Sequence, residues 1–247
     1  QESLTLKQLR YFPYIMLSII TLFLFVGYLL FSTFRRAEQN QVWVGMAKET
    51  AHQLGTPLSS LMAWLEILKS QGVEESSLVE MNKDIVRLET VSDRFSKIGS
   101  ASKKEEANIY DVIHHSIDYL KSRVSKKVNI SIQCHDKTIY SLLNISLFEW
   151  VIENLTKNAV DAMAGEGDIV YSISKENQSV IIEISDTGRG IPSSKLKTVF
   201  EPGYTTKKRG WGLGLSLVKR IIEEHHSGKI VVKHSQIDLG TTFRIVL

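Results

Sequence analysis

A histidine lies in a helical stretch that a glycine and a proline interrupt. The sequence AHQLGTPLSS, residues 51–60, places Gly55 and Pro57 soon after His52. Proline has no N–H, so the carbonyl of Gln53 loses its helical partner, and the glycine adds backbone freedom. A neutral imidazole on an exposed, bendable helix is a possible nucleophile, although a lone surface histidine is more often inert.

Two asparagines lie one helical turn apart in the segment ENLTKNAVDAM, residues 153–163. This spacing places Asn154 and Asn158 on the same face of a helix. Their amide oxygens could coordinate a hard Mg²⁺ ion that also keeps waters and phosphate oxygens as ligands. The same spacing is common on ordinary helix surfaces, so the pair alone leaves both interpretations open.

An aspartate and two glycines directly follow an apolar strand in the segment DTGRGIP, residues 186–192. The Asp186 carboxylate can accept a hydrogen bond from an exocyclic amine, and Gly188 and Gly190 allow the backbone to approach a flat base. Turns with aspartate and glycine are common, so this segment alone is a weak indication of a base-binding pocket.

Two adjoining segments suit phosphate groups. The segment VFEPGYTTKKRG, residues 199–210, offers hydroxyls and cations, although a basic surface loop has the same composition. The segment GWGLGLSLVKRII, residues 210–222, places glycines before an amphipathic helix, whose free N–H groups point at a bound anion. Such glycines also occur in dinucleotide sites, but no parallel βαβ pattern surrounds these.

The N-terminal part of the chain is apolar. Residues 11–34 form a run of 24 residues without a charge. A helix of this length spans about 36 Å, enough for the roughly 30 Å core of a bilayer. Aromatic residues at its ends and the Arg35-Arg36 pair after it are typical of a membrane-spanning helix. We predict a transmembrane helix at 11–34, after a juxtamembrane remnant of a longer upstream region at 1–10; a buried core helix is the alternative.

Apolar residues then recur at spacings of three and four in two stretches, separated by the polar turn SQGVEESS. Two such helices cannot close a core alone, whereas two copies form a four-helix bundle. We therefore predict an all-α dimerisation hairpin at 35–100 and a homodimer, with His52 one position past the seam and facing water. The seam residues are Ala47, Ala51, Leu54, Leu58, Leu61, Leu65, Leu68, Leu78, Met81, Ile85, Leu88, Val91, Phe95 and Ile98.

A polar linker, GSASKKEEAN at 99–108, predicts a boundary before a second domain at 101–247. The strands of this domain cluster in antiparallel-looking pairs, so an α+β two-layer sandwich fits better than a doubly wound sheet. The predicted helices lie near 108–124, 146–164 and 212–226. The predicted strands lie near 128–134, 138–143, 168–175, 179–185, 229–235 and 241–246, with a loop from the fourth strand to about 211.

Composition excludes several classes of function. The formal net charge of +3, with no basic patch interleaved with aromatic residues, argues against a nucleic-acid-binding protein. The single cysteine, Cys134, excludes an internal disulfide framework and fits the alternation of a predicted strand. The seven histidines have no metal-ligand spacing with cysteines or carboxylates.

Taken together and in this order, the four segments between 153 and 222 resemble the N, first glycine, F and second glycine boxes of sensor histidine kinases, whose ATPase domain is of the Bergerat type. The segment AHQLGTPLSSL resembles the phosphoacceptor box of that family, and the resemblance covers about residues 40–247. It implies that ATP and Mg²⁺ bind the second domain. The residues implied for the nucleotide are Asn154, Lys157, Asn158, Asp186, Gly188, Gly190, Thr205, Thr206, Lys207, Gly210, Gly212, Leu213, Gly214, Leu215 and Thr241.

The resemblance also implies a role for each motif. Asn158, with the asparagine one turn earlier, would hold Mg²⁺, and Lys157 would lie near the phosphates. Asp186 would bind the adenine amino group in a pocket shaped by the two glycines of its segment, with Thr241 near adenine. Residues 199–214 would form a lid over ATP, and we call this range the lid.

The implied function is that of a membrane-bound sensor kinase. His52 would take the γ-phosphoryl group of ATP and pass it to an aspartate of a response regulator. The implied location is the inner cell membrane, with the kinase domains in the cytoplasm, and the implied partners are membrane lipid, a second copy of the chain and the receiver domain of the regulator. The break at Gly55 and Pro57 would let the helix bend and so expose or withdraw the histidine.

One position departs from the family's pattern, in which glutamate or aspartate often follows the histidine. Gln53 stands there and cannot act as a base, although it could fix the imidazole tautomer through a hydrogen bond. Glu49, on the same helical face as His52, is a candidate replacement or a solvated surface charge. Thr56 matches the position that the family uses to place water for dephosphorylating its partner, and an ordinary helix hydroxyl is the alternative.

Three hypotheses remain: an active histidine kinase, a pseudokinase that binds nucleotide or dimerises without transferring phosphate, and another ATPase of the superfamily. The intact asparagine, aspartate and glycine sets argue against the pseudokinase. The histidine hairpin beside a membrane helix argues against another ATPase. We therefore predict an ATP-dependent protein-histidine kinase.

Overall fold

The computed structural model describes residues 4–98, 103–207 and 212–247. The chain divides into two compact units, Gln1–Ser100 and Ala101–Leu247. The first is helical, and the second combines helices with a five-stranded sheet. The residues at the predicted domain boundary, 99–102, lie outside the described ranges, and the domain assignment stays a prediction.

The helical unit consists of two helices, α1 (Leu4–Ser70) and α2 (Glu75–Ile98). The expected transmembrane helix and first hairpin helix form a single helix of 67 residues that continues through Gly55 and Pro57. Among the described residues, Tyr11–Phe34 is the one segment long and apolar enough to cross a membrane, by length and composition alone. The membrane span and the bending of the helix at the proline therefore stay predictions.

The two helices pack against each other, and each covers part of the predicted seam. The Ser92 hydroxyl of α2 donates a hydrogen bond to the Ala51 carbonyl oxygen at 3.1 Å, next to the histidine. Some seam residues are buried by this packing: Leu58, Leu78, Ile85 and Ile98. Others remain exposed in one copy of the chain: Leu61, Met81, Leu88 and Val91. A single copy thus presents an uncovered apolar face.

The α/β unit contains seven strands and three α-helices in its described part. In chain order they are β1 (Glu105–Asn108), α3 (Ile109–Lys121), β2 (Val128–Cys134), β3 (Tyr140–Leu143), α4 (Ile145–Ala162), β4 (Gly167–Glu176), β5 (Ser179–Asp186), α5 (Gly214–Arg220), β6 (Lys229–Gln236) and β7 (Gly240–Val246). Two 3₁₀ turns, Ser193–Lys195 and Thr198–Phe200, follow β5, and a π-helical turn, Ile221–His225, follows α5.

Helices cover one face of a mixed sheet with strand order β2-β4-β5-β7-β6. Strand β2 pairs in parallel with β4, and the other neighbours are antiparallel. Alternate residues of the central strands, Ile169 and Tyr171 on β4 and Ile182 and Ile184 on β5, are buried in the core between the layers. The described part of this unit is the predicted α+β two-layer sandwich.

Three expectations about this unit are wrong in detail. The predicted linker contains β1, which pairs antiparallel with β3 and is too short to show a periodic pattern. Because β3 leaves the main sheet for that pairing, β2 meets β4 across the α4 crossover, which makes the pair parallel. The helix expected near 212–226 begins at Gly214 and changes to a π-helical turn at Ile221.

Candidate functional site

A cavity of about 690 Å³ lies in the α/β unit, bounded by α4, the end of β5, the described part of the lid and the β6–β7 hairpin. Asn144 precedes α4 and caps it, because its side chain accepts a hydrogen bond from the Leu147 N–H. The apolar face of α4 is buried in the core, so the opposite face turns its polar side chains to the cavity. The cavity-facing residues of α4 are Asn154, Lys157, Asn158, Asp161 and Ala162.

Asp186 ends β5 and lines the cavity with only 9% of its surface exposed. Its Oδ1 accepts a hydrogen bond from the Gly188 N–H at 2.9 Å. Burial raises the pKa of the carboxyl group, and hydrogen bonds from the backbone of Gly188 and Thr241 oppose this shift. A buried acceptor of this kind suits a ligand amine.

The loop after β5 is fixed against the β6–β7 hairpin. The Ile191 N–H donates to the Ser235 hydroxyl at 2.7 Å, and the Asp238 N–H donates to the Arg189 carbonyl oxygen at 2.9 Å. Gly190 has a φ of +72°, and a Cβ there would collide with the Gln236 carbonyl oxygen, so only glycine fits this position without strain. The cavity wall beside Asp186 is therefore preformed.

Gly188, by contrast, does not line the cavity. A Cβ at this position would lie 2.7 Å from the Cβ of Ala162, so the glycine allows the loop to pass close to α4. Its backbone N–H holds the Asp186 carboxylate. The predicted role in shaping the pocket is therefore indirect and acts through the aspartate.

The described part of the lid, 199–207 and 212–214, closes one side of the cavity. The Gly203 N–H donates to the Gly212 carbonyl oxygen at 3.1 Å, which joins the two parts. The Arg189 guanidinium donates from Nη2 to the Thr206 hydroxyl at 2.7 Å and ties the lid to the loop after β5. The Thr205 hydroxyl accepts a hydrogen bond from the Lys207 N–H at 3.1 Å. Gly210 lies outside the described residues.

Amide oxygens and cations meet at the α4 wall. The Asn154 amide nitrogen donates to the Trp150 carbonyl oxygen at 2.8 Å, so its Oδ1 is the acceptor that lies toward Gly214. The Asn158 Oδ1 accepts a hydrogen bond from the Lys207 ammonium at 3.1 Å, and Lys207 also forms an ion pair with Asp161. Lys157 forms an ion pair with Glu153 at 2.6 Å.

These donors fit a Mg²⁺ ion that arrives with a phosphate ligand. Amide oxygens are hard ligands, and the Asn158 oxygen already accepts a cationic group. Within 4–98, 103–207 and 212–247, no group of three or more His, Cys, Asp or Glu side chains could hold a metal by itself. An ion at the two asparagines would therefore take its other ligands from phosphate and water.

His52 lies in the other unit, exposed on α1. The Gln53 amide donates from Nε2 to Glu49 Oε1 at 2.7 Å, so the glutamine engages the candidate base. The Thr56 hydroxyl lies 3.5 Å from the His52 carbonyl oxygen, a weak helix contact. The roles predicted for these four residues stay predictions.

The structure brings most of the predicted nucleotide residues to one cavity: Asn154, Lys157, Asn158, Asp186, Gly190, Thr205, Thr206, Lys207, Gly212, Leu213, Gly214, Leu215 and Thr241. Sequence reasoning missed further lining residues. Asp161 and Ala162 share a helical face with Asn158, and that spacing was a usable signal. The others are Arg189, Ile191, Pro192, Ile237, Asp238 and Phe243, whereas Val199 and Tyr204 belong to the predicted lid.

Residues 144–247 match the family described as histidine kinase-, DNA gyrase B-, and HSP90-like ATPase. The matched range includes α4, the loop after β5, the lid and the β6–β7 hairpin. The cavity therefore lies within the matched range, and an ATPase domain of this kind implies that it binds ATP.

The chain is similar over most of its length to curated kinases. It is 30% identical over 220 residues to sporulation kinase E of Bacillus subtilis (strain 168). The aligned region covers 86% of this chain and 29% of that protein. It is 29% identical over 226 residues to the sensor histidine kinase ZraS of Salmonella typhi. That aligned region covers 88% of this chain and 48% of the relative. The chain thus spans less than half the length of these two relatives.

A solved structure has the same fold. The histidine kinase ThkA, crystallised in complex with the response regulator protein TrrA, matches with a TM-score of 0.56 and 20% identity over 86% of this chain and 63% of that chain. This likeness confirms the architecture of the α/β unit.

Proposed function

The chain belongs to the sensor histidine kinases with a Bergerat-type ATPase domain, and from this premise we propose that it transfers the γ-phosphoryl group of ATP to His52. The observation that carries the proposal is the cavity of the α/β unit, where residues from four separate sequence segments meet around the buried Asp186 carboxylate. A preformed pocket with one buried acceptor and several phosphate-binding groups suits a purine nucleotide.

In this proposal the Asp186 carboxylate accepts a hydrogen bond from the adenine amine, with Thr241 beside it. Asn154 and Asn158 hold Mg²⁺, while Lys157 and the lid face the phosphates. Mg²⁺, when bound, neutralises charge on the phosphoryl oxygens. The chain's own contribution is alignment, because phosphoryl transfer depends mainly on positioning and charge neutralisation.

The transfer step uses the helical unit. A nitrogen of the His52 imidazole attacks the γ-phosphorus, a nitrogen–phosphorus bond forms, and the bond to the β,γ-bridging oxygen breaks to leave ADP. The proton of the imidazole leaves to solvent or to Glu49, which Gln53 orients at 2.7 Å. The phosphoryl group then passes to an aspartate of a response regulator, a partner class supported by the complex of ThkA with a regulator protein.

The functional form is a homodimer in a membrane. The exposed seam residues of α1 and α2, such as Leu61 and Leu88, would be covered by the same face of a second copy in a four-helix bundle. Tyr11–Phe34 would cross the inner cell membrane and contact lipid, with both kinase units in the cytoplasm. The similarity to a sensor histidine kinase supports this location.

Labelling with ATP tests the proposal. The chain, purified in detergent, is incubated with γ-labelled ATP and Mg²⁺, and the product is treated with acid or alkali. We expect label that is lost in acid and retained in alkali, as a phosphoramidate requires, and loss of Mg²⁺-dependent turnover in Asn158→Ala. Hydrolysis without labelling would indicate another kind of ATPase, and nucleotide binding without either reaction would indicate a pseudokinase; both contradict the proposal.

A further inference from the structure

Lys207 of the lid donates a hydrogen bond to the Asn158 amide oxygen, which the proposed function assigns to Mg²⁺. The Lys207 Nζ lies 3.1 Å from Asn158 Oδ1 and forms an ion pair with Asp161. Asp161 follows Asn158 by three residues on α4, so both acceptors lie on the same face of one rigid helix. The lysine therefore has two partners on α4, one of which is negatively charged.

A neighbouring contact holds the lid in the same place. Thr206 accepts a hydrogen bond from the Arg189 guanidinium at 2.7 Å, and the Lys207 N–H donates to the Thr205 hydroxyl at 3.1 Å. The backbone next to the lysine is thus tied to the loop after β5, while its ammonium is tied to α4. The adjacent residues Thr206 and Lys207 thus bridge two walls of the cavity.

We propose that Asp161 is a positioning residue that holds the Lys207 ammonium on Asn158, so that the lysine and Mg²⁺ compete for the same amide oxygen. The inference rests on the proposed function, which places Mg²⁺ at this asparagine. A divalent ion at the oxygen would repel an ammonium within hydrogen-bond distance. Binding of Mg²⁺ with nucleotide therefore releases Lys207 from α4 and frees residues 205–207 on that side.

The Mg²⁺ dependence of nucleotide binding separates this role from a purely structural one. The full chain in detergent is titrated with MgCl₂ at a fixed concentration of a fluorescent ADP analogue, and the midpoint of the Mg²⁺-dependent signal is measured. We expect Lys207→Met to lower the midpoint about two- to fivefold, a modest effect because exposed ion pairs are weak. Asp161→Asn should lower it in the same direction, and the double variant should do no more than Lys207→Met.

Two variants serve as controls. Lys195→Met removes an exposed lysine that does not line the cavity and should leave the midpoint at the parent value, whereas Asp161→Glu keeps the charge and should lower the midpoint less than Asp161→Asn does. A higher midpoint in Asp161→Asn would overturn the inference, because the carboxylate would then serve the ion rather than the lysine. An unchanged midpoint in Lys207→Met would overturn it as well.

A second measurement needs neither metal nor nucleotide. Hydrogen exchange of residues 201–207 should be faster in Lys207→Met and in Asp161→Asn than in the parent, and equal rates would contradict the contact. Asn158→Ala tests the underlying assignment: a midpoint raised tenfold or more supports Mg²⁺ at this residue. No change in Asn158→Ala would contradict the Mg²⁺ site of the proposed function, whereas the exchange rates still decide whether Asp161 positions the lysine.

Discussion

The two units of the chain differ in how completely they bury their apolar residues. In the α/β unit the core is closed: Phe148, Ile182 and Tyr171 are fully buried, and the Tyr171 hydroxyl is satisfied by Thr156 at 2.6 Å. In the helical unit Trp64 is 59% exposed and Leu88 45% exposed. A unit with a closed core can fold alone, whereas one with an open apolar face needs a partner to cover it.

This difference separates the two halves of the proposed reaction. The nucleotide residues lie in the unit whose core is closed, so their geometry is expected to be independent of assembly. The proposed acceptor, His52, lies in the unit whose apolar face is open and which, in our proposal, pairs with a second copy. Assembly can therefore change the presentation of His52 without changing the cavity that binds ATP.

The largest expected effect is a loss of phosphoryl transfer in the helical unit, with nucleotide binding in the α/β unit retained. His52→Gln should abolish labelling from γ-labelled ATP, because the amide is not a nucleophile, while nucleotide affinity stays at the parent value. Labelling and fluorescent-nucleotide binding measure the two properties separately. His135→Gln, at an exposed position of the α/β unit, is the control and should label normally. Persistent labelling of His52→Gln would place the acceptor elsewhere.

The contrast between the units also explains what sequence reasoning could predict of the fold. Strands β2 to β7 were predicted because half-buried strands alternate apolar and polar residues. Strand β1 was missed because its glutamates, Glu105 and Glu106, are exposed and its pairing with β3 is a long-range event. The heptad pattern predicted both hairpin helices but not the continuity of α1, since periodicity does not mark where a helix ends.

A second prediction tests whether the helical unit depends on a second copy of the chain. Leu88→Glu places a charge on the exposed seam face, where a second copy would have to bury it without a partner. We expect dimerisation to weaken tenfold or more, and autophosphorylation to fall with it, while nucleotide affinity is unchanged. Analytical ultracentrifugation in detergent measures the association. Asn82→Glu adds the same charge at an exposed position outside the seam and should leave the dimer intact.

A third prediction concerns base recognition in the α/β unit alone. Asp186→Asn replaces an acceptor by a group that can present a donor to the adenine amine. Hydrogen bonds that involve a charged group contribute about 1.5–3 kcal/mol, so we expect ATP affinity to fall about ten- to a hundredfold and the preference over GTP to shrink. Binding of ATP and GTP is compared in the parent, the variant and Asp118→Asn, a surface control on α3. An unchanged preference would show that another group reads the base.

The site itself could be predicted from sequence only where its residues share a local segment. Asn158 and Asp186 were found because their motifs are contiguous. Ile237 and Asp238 were missed because they reach the cavity through the hydrogen bond from Asp238 to the Arg189 carbonyl oxygen, which joins distant parts of the chain. The pairing of Gln53 with Glu49 was also missed, although their four-residue spacing permits it.

A fourth prediction concerns that pair in the helical unit. A positioned general base typically contributes about 10² to 10⁴-fold to the rate of a proton-transfer-dependent step. We therefore expect Glu49→Gln to slow autophosphorylation more than tenfold at saturating ATP, with ATP affinity nearly unchanged. Gln53→Glu should retain or raise the rate. Single-turnover labelling measures both variants. A parent rate in Glu49→Gln together with an inactive Gln53→Glu would make Glu49 a surface charge and give Gln53 another role.

The smallest expected effect is a pH dependence of the free energy of unfolding of the α/β unit. Its source is the buried histidine His226. The His226 ring lies next to Ile221 O at 2.9 Å and accepts the Asn144 N–H on Nε2 at 3.1 Å, so Nδ1 carries the hydrogen. Asn144 is also the residue that caps α4. Protonation of the ring would place an N–H against the N–H of the cap.

Burial lowers the pKa of His226 below its ordinary value of about 6.5, with Lys104 acting in the same direction. The unfolded chain therefore binds more protons than the folded one as the pH falls below 6.5. The stabilising contribution is complete above that pH and is lost on acidification, at up to about 1.4 kcal/mol per pH unit. The neighbouring His225, whose pKa burial also lowers, adds to the same slope.

Urea unfolding of residues 103–247 at pH 7.5 and pH 5.5 measures this contribution. We expect the free energy of unfolding to be roughly 1 kcal/mol lower at the acidic pH, and the difference to shrink in His226→Gln, which cannot titrate. His225 titrates in both proteins, so the comparison isolates the histidine at the cap. His114→Gln removes an exposed histidine of α3 and should keep the parent's difference. If His226→Gln loses as much stability as the parent between the two pH values, the cap of α4 is not the origin of the pH dependence.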